Sequence, residues 1–148
     1  MQNTFWLLGT HLTILADHTT TDGRYDLLEG VFQPGVATPM HRHTTYSEHL
    51  YVLEGELAVH TEAATVVLRP GDNFHIPLGL AHAVVSGPAG GRGLVVASPS
   101  GFARLTQTAG TPADSAEVPP ITPTDMDVFA RASMESGDEV VGPPPTVA

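Results

Sequence analysis

The chain has no cysteine and no lysine. Without cysteine there is no thiol nucleophile, no disulfide and no thiolate metal site, and without lysine there is no internal Schiff base. The lack of cysteine leaves the redox compartment open. Positive charge is scarce: six basic residues, all arginine, stand against 16 acidic ones, for a formal charge of -10. Such a surface repels the phosphate backbone, which excludes nucleic acid as an expected partner. A long apolar run is also missing. The opening "MQNTFWLLGTHLTILADH" has only a few consecutive apolar residues and no basic n-region, so it fits neither a signal peptide nor a membrane span. The expectation is a soluble, cytoplasmic protein without a membrane partner. What remains is 148 residues, 41% hydrophobic, enough to bury one core.

From residue 5 to about 98 the sequence is a succession of short apolar or alternating runs punctuated by Gly, Pro, Asp and Asn. The runs are 10–16, 24–32, 48–55, 56–61, 65–71, 73–77, 82–86 and 93–98. Eight strands of this length predict an all-β protein, a closed barrel or two-sheet jelly roll. Turns are expected at 19–25, at "LEGEL" (53–57) and at "GPAGGRG" (87–93), where glycine tolerates positive φ.

After Ser98 the composition changes. "GTPADSAEVPPITP" (110–123) is rich in proline, which cannot join a central strand, and reads as a tether. "TPTDMDVFARASMESG" (122–137) predicts a short C-terminal helix: Thr122 or Thr124 as cap, Asp125 and Asp127 at its positive end, Gly137 as stop. Met126, Phe129, Ala130 and Ser133 form its weakly apolar face, expected against the outside of the barrel or a partner subunit. "GPPPTVA" is expected to fray. The domain reading is a β-barrel with N-terminal strands over 1–105, then linker, helix and tail over 106–148.

The chemistry concentrates in "PMHRHTTYSEHLY" (39–51). His41 and His43 are two apart, so on a strand they share a face with Cα atoms about 6.5 to 7 Å apart. Imidazole nitrogens ligate transition metals at about 2.0 to 2.1 Å, and a carboxylate makes a hard further ligand. Glu48 begins the next strand after the "TTYS" loop, and His82 follows the turn "PLGLA" (77–81) at the start of another. The candidate set is three imidazoles and one carboxylate. An H-x-H pair by itself is equally at home on an ordinary half-buried strand.

The surrounding residues add weight. Gly35, His41, His43, Glu48 and Gly55 stand at the spacings of the first cupin motif, and Gly71, Pro77, Gly79 and His82 at those of the second. The chain thus resembles the cupin superfamily at nine fixed positions spanning 35–86. Ser86 stands where the family pattern usually has asparagine, which bears on a local hydrogen bond and not on a ligand. The 15 residues between Gly55 and Gly71 match compact microbial members. On their own physics, Gly55 and Gly71 mark chain reversals, and Pro77 with Gly79 makes the turn that aims His82 inward.

The opening "WLLG", the double motif, "SPSGFARL", the proline-rich helix and the terminal "GPPP" are similar to small bacterial monocupins of the quercetinase-like dioxygenase group. That resemblance implies a double-stranded β-helix, a homodimer and one divalent transition metal ion on His41, His43, Glu48 and His82. It also implies that Glu48 is ligand and general base, taking a proton from an enol. The implied function is dioxygen-dependent cleavage of a small chelating enol or phenol. Alternatives are an oxygen-independent isomerase, cyclase, decarboxylase or lyase, and a non-enzymatic ligand-binding cupin. All-N/O ligation suits Fe, Mn, Co, Ni, Cu or Zn alike, and a six-coordinate ion would keep two positions open.

Phe32, Met40, Tyr46, Leu50, Val52, Leu57, Phe74, Ile76, Val84 and Phe102 are candidates for cavity walls, with Met40 and Tyr46 expected at the mouth and Phe32 and Phe74 in the substrate pocket. Plain barrel packing is the better account for most of them. Alternation turns His49 away from the site, His60 is expected on the surface, the facing of His75 is open, and His11 and His18 are expected to be exposed.

Overall fold

A computed structural model describes residues 3–113, 116, 119 and 124–146. Among the described residues, ten strands and three short helices follow in the order β1 (Thr4–Leu7), β2 (Thr10–Ala16), α1 (His18–Thr21), β3 (Asp26–Phe32), β4 (Met40–His43), β5 (Ser47–His60), β6 (Thr65–Leu68), β7 (Asn73–Ile76), β8 (Ala83–Ser98), α2 (Phe102–Ala109), β9 (Thr111–Pro112), α3 (Met126–Ser136) and β10 (Asp138–Gly142). The class is all-β, an antiparallel jelly roll with short helices. The large sheet runs β6-β5-β8-β3-β2-β1-β9, with β7 also on β5; β10 and β4 form a second sheet. Isolated bridges Ala37↔Val85 and His41↔His82 join the β4 side to the start of β8. Among the described residues no helix is long and apolar enough to cross a membrane.

Two expected turns are continuous strand instead. β5 passes through Gly55 without reversing, and β8 passes through "GPAGGRG". Both bend, with register shifts between Val52 and Glu54 and between Gly55 and Leu57. A bulge inserts an unpaired residue, sharpens the twist and lets one strand serve both halves of a barrel. Gly55 is needed there for two reasons. Its φ is +69°, and a Cβ would stand 2.4 Å from the Gly90 carbonyl oxygen. Gly71 (φ +92°), by contrast, does lie in the reversal between β6 and β7.

The core has two parts. Inside the barrel, Phe32, Leu50, Val52, Leu57, Val59, Leu68, Ile76, Val84 and Val95 pack together. The second part joins Phe5, Leu7, Leu12, Ile14 and Leu28 of the N-terminal strands to Ala103, Leu105 and Ala109 of α2 and Phe129 and Ala132 of α3. Full burial of each large apolar side chain contributes about 1.5 to 3 kcal/mol. α3 therefore closes the barrel from outside, through Phe129, Ala132 and Ser133; Met126 and Ala130, expected on that face, are exposed. Its N-cap is Asp125, whose carboxylate accepts from the Asp127 and Val128 N–H groups, and Gly137 ends it in the left-handed conformation. The alternative cap Thr124 instead accepts from the Leu8 N–H, and Thr122 lies outside the described residues.

α2 carries no side-chain cap of its own. Asp26, buried on β3, fills that role: its Oδ2 accepts from the Gly101 and Ala103 N–H groups at 2.8 and 3.0 Å. A carboxylate at a helix N-terminus satisfies its free donors and opposes its dipole. Ser86 does make the local hydrogen bonds left open by its substitution. Its hydroxyl donates to the Gln33 carbonyl at 2.5 Å and accepts from the Val36 N–H at 2.8 Å, tying β8 to the segment that leads into β4.

Candidate metal centre

β4 is four residues long, and strand alternation decides what it presents. His41 and His43 face inward. Arg42 faces solvent, where its Nε donates to Glu139 Oε2 of β10 at 2.7 Å. His82 is brought in by backbone: His41 and His82 exchange N–H···O bonds of 2.9 Å each, and the Gly79 N–H donates to the His43 carbonyl at 2.8 Å. The turn at Pro77–Leu80 is thereby fastened to β4, with Gly79 at φ +81° as the turn requires.

The three rings converge. Their centroids lie 4.3 Å (His41–His82), 4.9 Å (His41–His43) and 5.1 Å (His43–His82) apart, and one nitrogen from each lies within 4.8 Å of the others. Each ring also commits its Nδ1: His41 to the Pro39 carbonyl at 2.7 Å, His82 to the Leu80 carbonyl at 2.8 Å, and His43 to Asp138 Oδ1. A carbonyl or carboxylate acceptor at Nδ1 holds a proton there and aims Nε2 at the centre, its lone pair free whenever the ring is neutral. The Nε2 atoms of His43 and His82 are buried and have no hydrogen-bond partner among the described residues. Buried polar atoms without partners are costly, and convergent imidazole lone pairs are a transition-metal donor set. The residues therefore fit an ion.

Glu48, buried at the start of β5, places Oε1 3.4 Å from His43 Nε2 without a hydrogen bond between them. Two ligand atoms on one ion stand about 2.9 to 3.4 Å apart, from octahedral to tetrahedral angles. Glu48 meets that spacing to His43 alone; the group whose ligand atoms all lie within 4.8 Å of one another is His41, His43 and His82, and Glu48 stands beside it.

The electrostatics follow from this geometry. Burial would push the His43 imidazolium down, but the Glu48 charge and the Asp138 hydrogen bond outweigh it and raise its pKa to about 10. Burial, then the neighbouring His41, lowers His82 to about 4. His41 is lowered by burial and by His43. Burial opposes the charge on Glu48, yet His43 beside it holds the carboxyl below its ordinary value. Without an ion the site thus stores one proton, on the ring between two carboxylates.

A cavity of about 90 Å³ leads to His41, His43 and Glu48. Leu12, Phe32, Leu50, Val95, Phe102 and Phe129 give it apolar walls. Of the expected pocket residues, Phe32 is in the lining, as are Leu50, Val84 and Phe102. Six are elsewhere. Tyr46 is wholly buried behind the site, its ring stacked on His43 at 4.5 Å and its hydroxyl donating to Asp138 Oδ1 at 2.7 Å. Met40 faces a separate cleft with His60 and Val141, because alternation turns it away from its histidine neighbours. Phe74 packs against the barrel core beside Leu50, its register partner. Val52, Leu57 and Ile76 are core residues outside the cavity lining.

The remaining histidines divide. His49 and His75 are register partners on the exposed face, and His49 Nε2 bonds Asn73 Oδ1 at 2.8 Å. His60 is half-buried and bonds the Thr65 hydroxyl; His18 is exposed. His11 is not exposed. It is buried against the edge of Trp6, its cross-strand partner, with ring centroids 5.3 Å apart.

Asp138 is the residue that motif spacing missed. β10 pairs with β4 so that Asp138 stands opposite His43 and Val140 opposite His41. The available signal was local: a helix stop at Gly137 followed by the strand-forming run "DEVV".

Residues 28–90 match the family described as Cupin domain. A stretch of 69 residues is 30% identical to quercetin 2,3-dioxygenase of Bacillus subtilis, covering 47% of this chain but only 20% of that enzyme. Among solved structures, an RmlC-like cupin from Shewanella frigidimarina superposes with a TM-score of 0.58 at 26% identity, over 68% of this chain and 86% of that one. The polyketide cyclase RemF from Streptomyces resistomycificus superposes with a TM-score of 0.56 at 30% identity, over 67% of this chain and 69% of that one. With both motifs in place on an antiparallel jelly roll, the chain has the cupin fold and carries a cupin-domain match over less than half of its length.

Proposed function

We propose that the protein is a metal-dependent enzyme that takes a small, largely apolar enol or phenol and cleaves it with dioxygen. The observation that carries this reading is the convergence of the His41, His43 and His82 rings, the Nε2 atoms of His43 and His82 buried without a partner among the described residues, at an apolar cavity with the buried carboxylate of Glu48 beside them. A divalent ion held by His41, His43, His82 and Glu48 would polarise a substrate oxygen and, if redox-active, serve dioxygen chemistry. The chain's own residues do the rest. The Nδ1 acceptors lock the ring orientations. Phe32 and Phe102 suit a flat ring and shed water from it. Glu48, held below its ordinary pKa, is ionised at neutral pH and able to accept the enol proton.

The likeness to quercetin 2,3-dioxygenase supports cleavage. A second reading, oxygen-independent cyclisation at the same ion, is favoured by the 30% identity to a polyketide cyclase of which the match covers 69%. Assembly as a homodimer in the cytoplasm is part of the same proposal, and size-exclusion chromatography tests the former. The two chemistries separate in one experiment: iron- or manganese-loaded protein is screened against enols, flavonols and diketones with and without dioxygen. Turnover that stops when oxygen is removed supports cleavage, turnover that continues supports cyclisation or a related step, and binding without turnover contradicts both.

A further inference from the structure

The cavity is apolar except at the metal-ligand cluster, two threonines and one stretch of the C-terminal segment. There α3 and β10 contribute Ser133 and Asp138 to the lining, both more than nine-tenths buried. Ser133 Oγ and Asp138 Oδ2 have no hydrogen-bond partner among the described residues. Asp138 is two-sided in its use. Oδ1 is spent on the His43 Nδ1–H and the Tyr46 hydroxyl, whereas Oδ2 is left without a donor. Apart from His43 Nε2, which the ion would take, these are, among the described residues, the buried side-chain atoms without a partner that belong to cavity-lining residues.

An unsatisfied carboxylate oxygen beside an apolar cavity is costly, and a hydrogen bond to a charged acceptor is among the stronger ones. The cost is removed when a bound molecule supplies a donor. A carboxylate oxygen only accepts, whereas a serine hydroxyl both donates and accepts. The complement is a hydroxyl group carried on an otherwise apolar ligand, away from the oxygen that meets the ion. A carbonyl or methoxy group at that place leaves Oδ2 unpaired and is selected against.

We propose that Ser133 and Asp138 form a polar subsite that selects ring-hydroxylated substrates, so that the C-terminal segment sets specificity. This rests on the reading of the cavity as the site of a chelating enol. The helix that carries Ser133 is held by Phe129 and Ala132 in the core, and the strand that carries Asp138 by its ladder with β4, the strand of His41 and His43. The specificity element thus lies outside the two motifs in sequence but is fastened to the first of them.

The test uses full-length protein loaded with one equivalent of redox-silent zinc and titrated with 3-hydroxyflavone and with its singly hydroxylated and singly methoxylated ring isomers, read by fluorescence. At one ring position the hydroxylated isomer should bind about tenfold more tightly than its methoxylated counterpart. Ser133→Ala, which removes only a hydroxyl and favours the helix, should shrink that ratio to about twofold or less. Asp138→Asn, at saturating zinc, should bring it to about twofold or less: Oδ1 still accepts from His43 and Tyr46, and the amide then offers the cavity a donor that a hydroxyl and a methoxy oxygen accept alike. If 3-hydroxyflavone binds but no ring position discriminates, or if discrimination survives both substitutions, the subsite is refuted while the chelating-enol reading stands. If 3-hydroxyflavone itself does not bind, both fall.

Discussion

His43 donates its Nδ1–H to Asp138, a carboxylate 95 positions later in the chain. Through that bond the last strand of the protein reaches the proposed donor set, and Tyr46 braces it from behind by stacking on His43 and donating to the same oxygen. Carboxylate partners of ligand histidines typically account for 10- to 100-fold in metal affinity. Asp138→Ala should therefore weaken zinc binding by about that factor, and Tyr46→Phe by less, in competition with a chromophoric chelator.

The charge state of the site sets its pH dependence. Metal must displace the proton that Glu48 and Asp138 stabilise on His43, whose pKa is raised to about 10, whereas His82, lowered to about 4, is already neutral. Zinc affinity should rise roughly tenfold per pH unit between pH 7 and 9. Calorimetry in buffers of different ionisation enthalpy should show about one proton released per ion at pH 8.

The same shifts give the metal-free protein a stability maximum. A folded pKa above the unfolded one means that the His43 contribution is fully present below about 6.5 and is lost as pH rises through about 10. The depressed pKa of His82 acts in the other direction, with stability lost as pH falls from about 6.5 through about 4. Thermal melts of metal-free protein should peak near pH 6.5, and bound metal should remove the alkaline decline.

Glu48→Gln keeps the size of the side chain and an oxygen but removes the base. The expected result is a fall in kcat of about 10² to 10⁴ with the bound ion retained. Steady-state kinetics and elemental analysis on the same preparation check both halves, and unchanged turnover would take Glu48 out of proton transfer.

Backbone strain separates two glycines that share a positive φ. An alanine at Gly55 would meet the Gly90 carbonyl oxygen and the Gly91 Cα, whereas one at Gly71 would meet nothing within 4 Å. Gly55→Ala should cost about 2 to 4 kcal/mol and Gly71→Ala about 1, read as melting temperatures lowered by roughly 4 to 16 and 2 to 4 °C.

The ligand candidates were legible because a two-residue strand period and a glycine turn act locally: His41 and His43 share a face, and Gly79 turns the chain toward His82. Long-range consequences were not. Glycine at a bulge reads like glycine at a turn, so Gly55 and the stretch at 87–93 suggested reversals, and only the approach of β5 to β8 shows why side chains are barred there. His11 was expected at the surface because nothing in "THLTILA" announces that Trp6 will lie against it. Asp138 had no signal linking it to His43, since their pairing depends on where β10 returns to the barrel. Tyr46 shows the same limit from the other side: proximity to the ligands in sequence suggested the mouth, yet the chain buries it behind them.

One measurement bears most directly on the central claim, that three imidazoles and a carboxylate gather a single ion. Metal-free protein is titrated with zinc by calorimetry, beside His41→Ala and His82→Ala variants whose fold is checked by circular dichroism. The expected result is one ion per chain for the native sequence and a loss of at least about 100-fold in affinity for each variant. Zinc uptake that is absent, or that is equal in all three proteins, would contradict it.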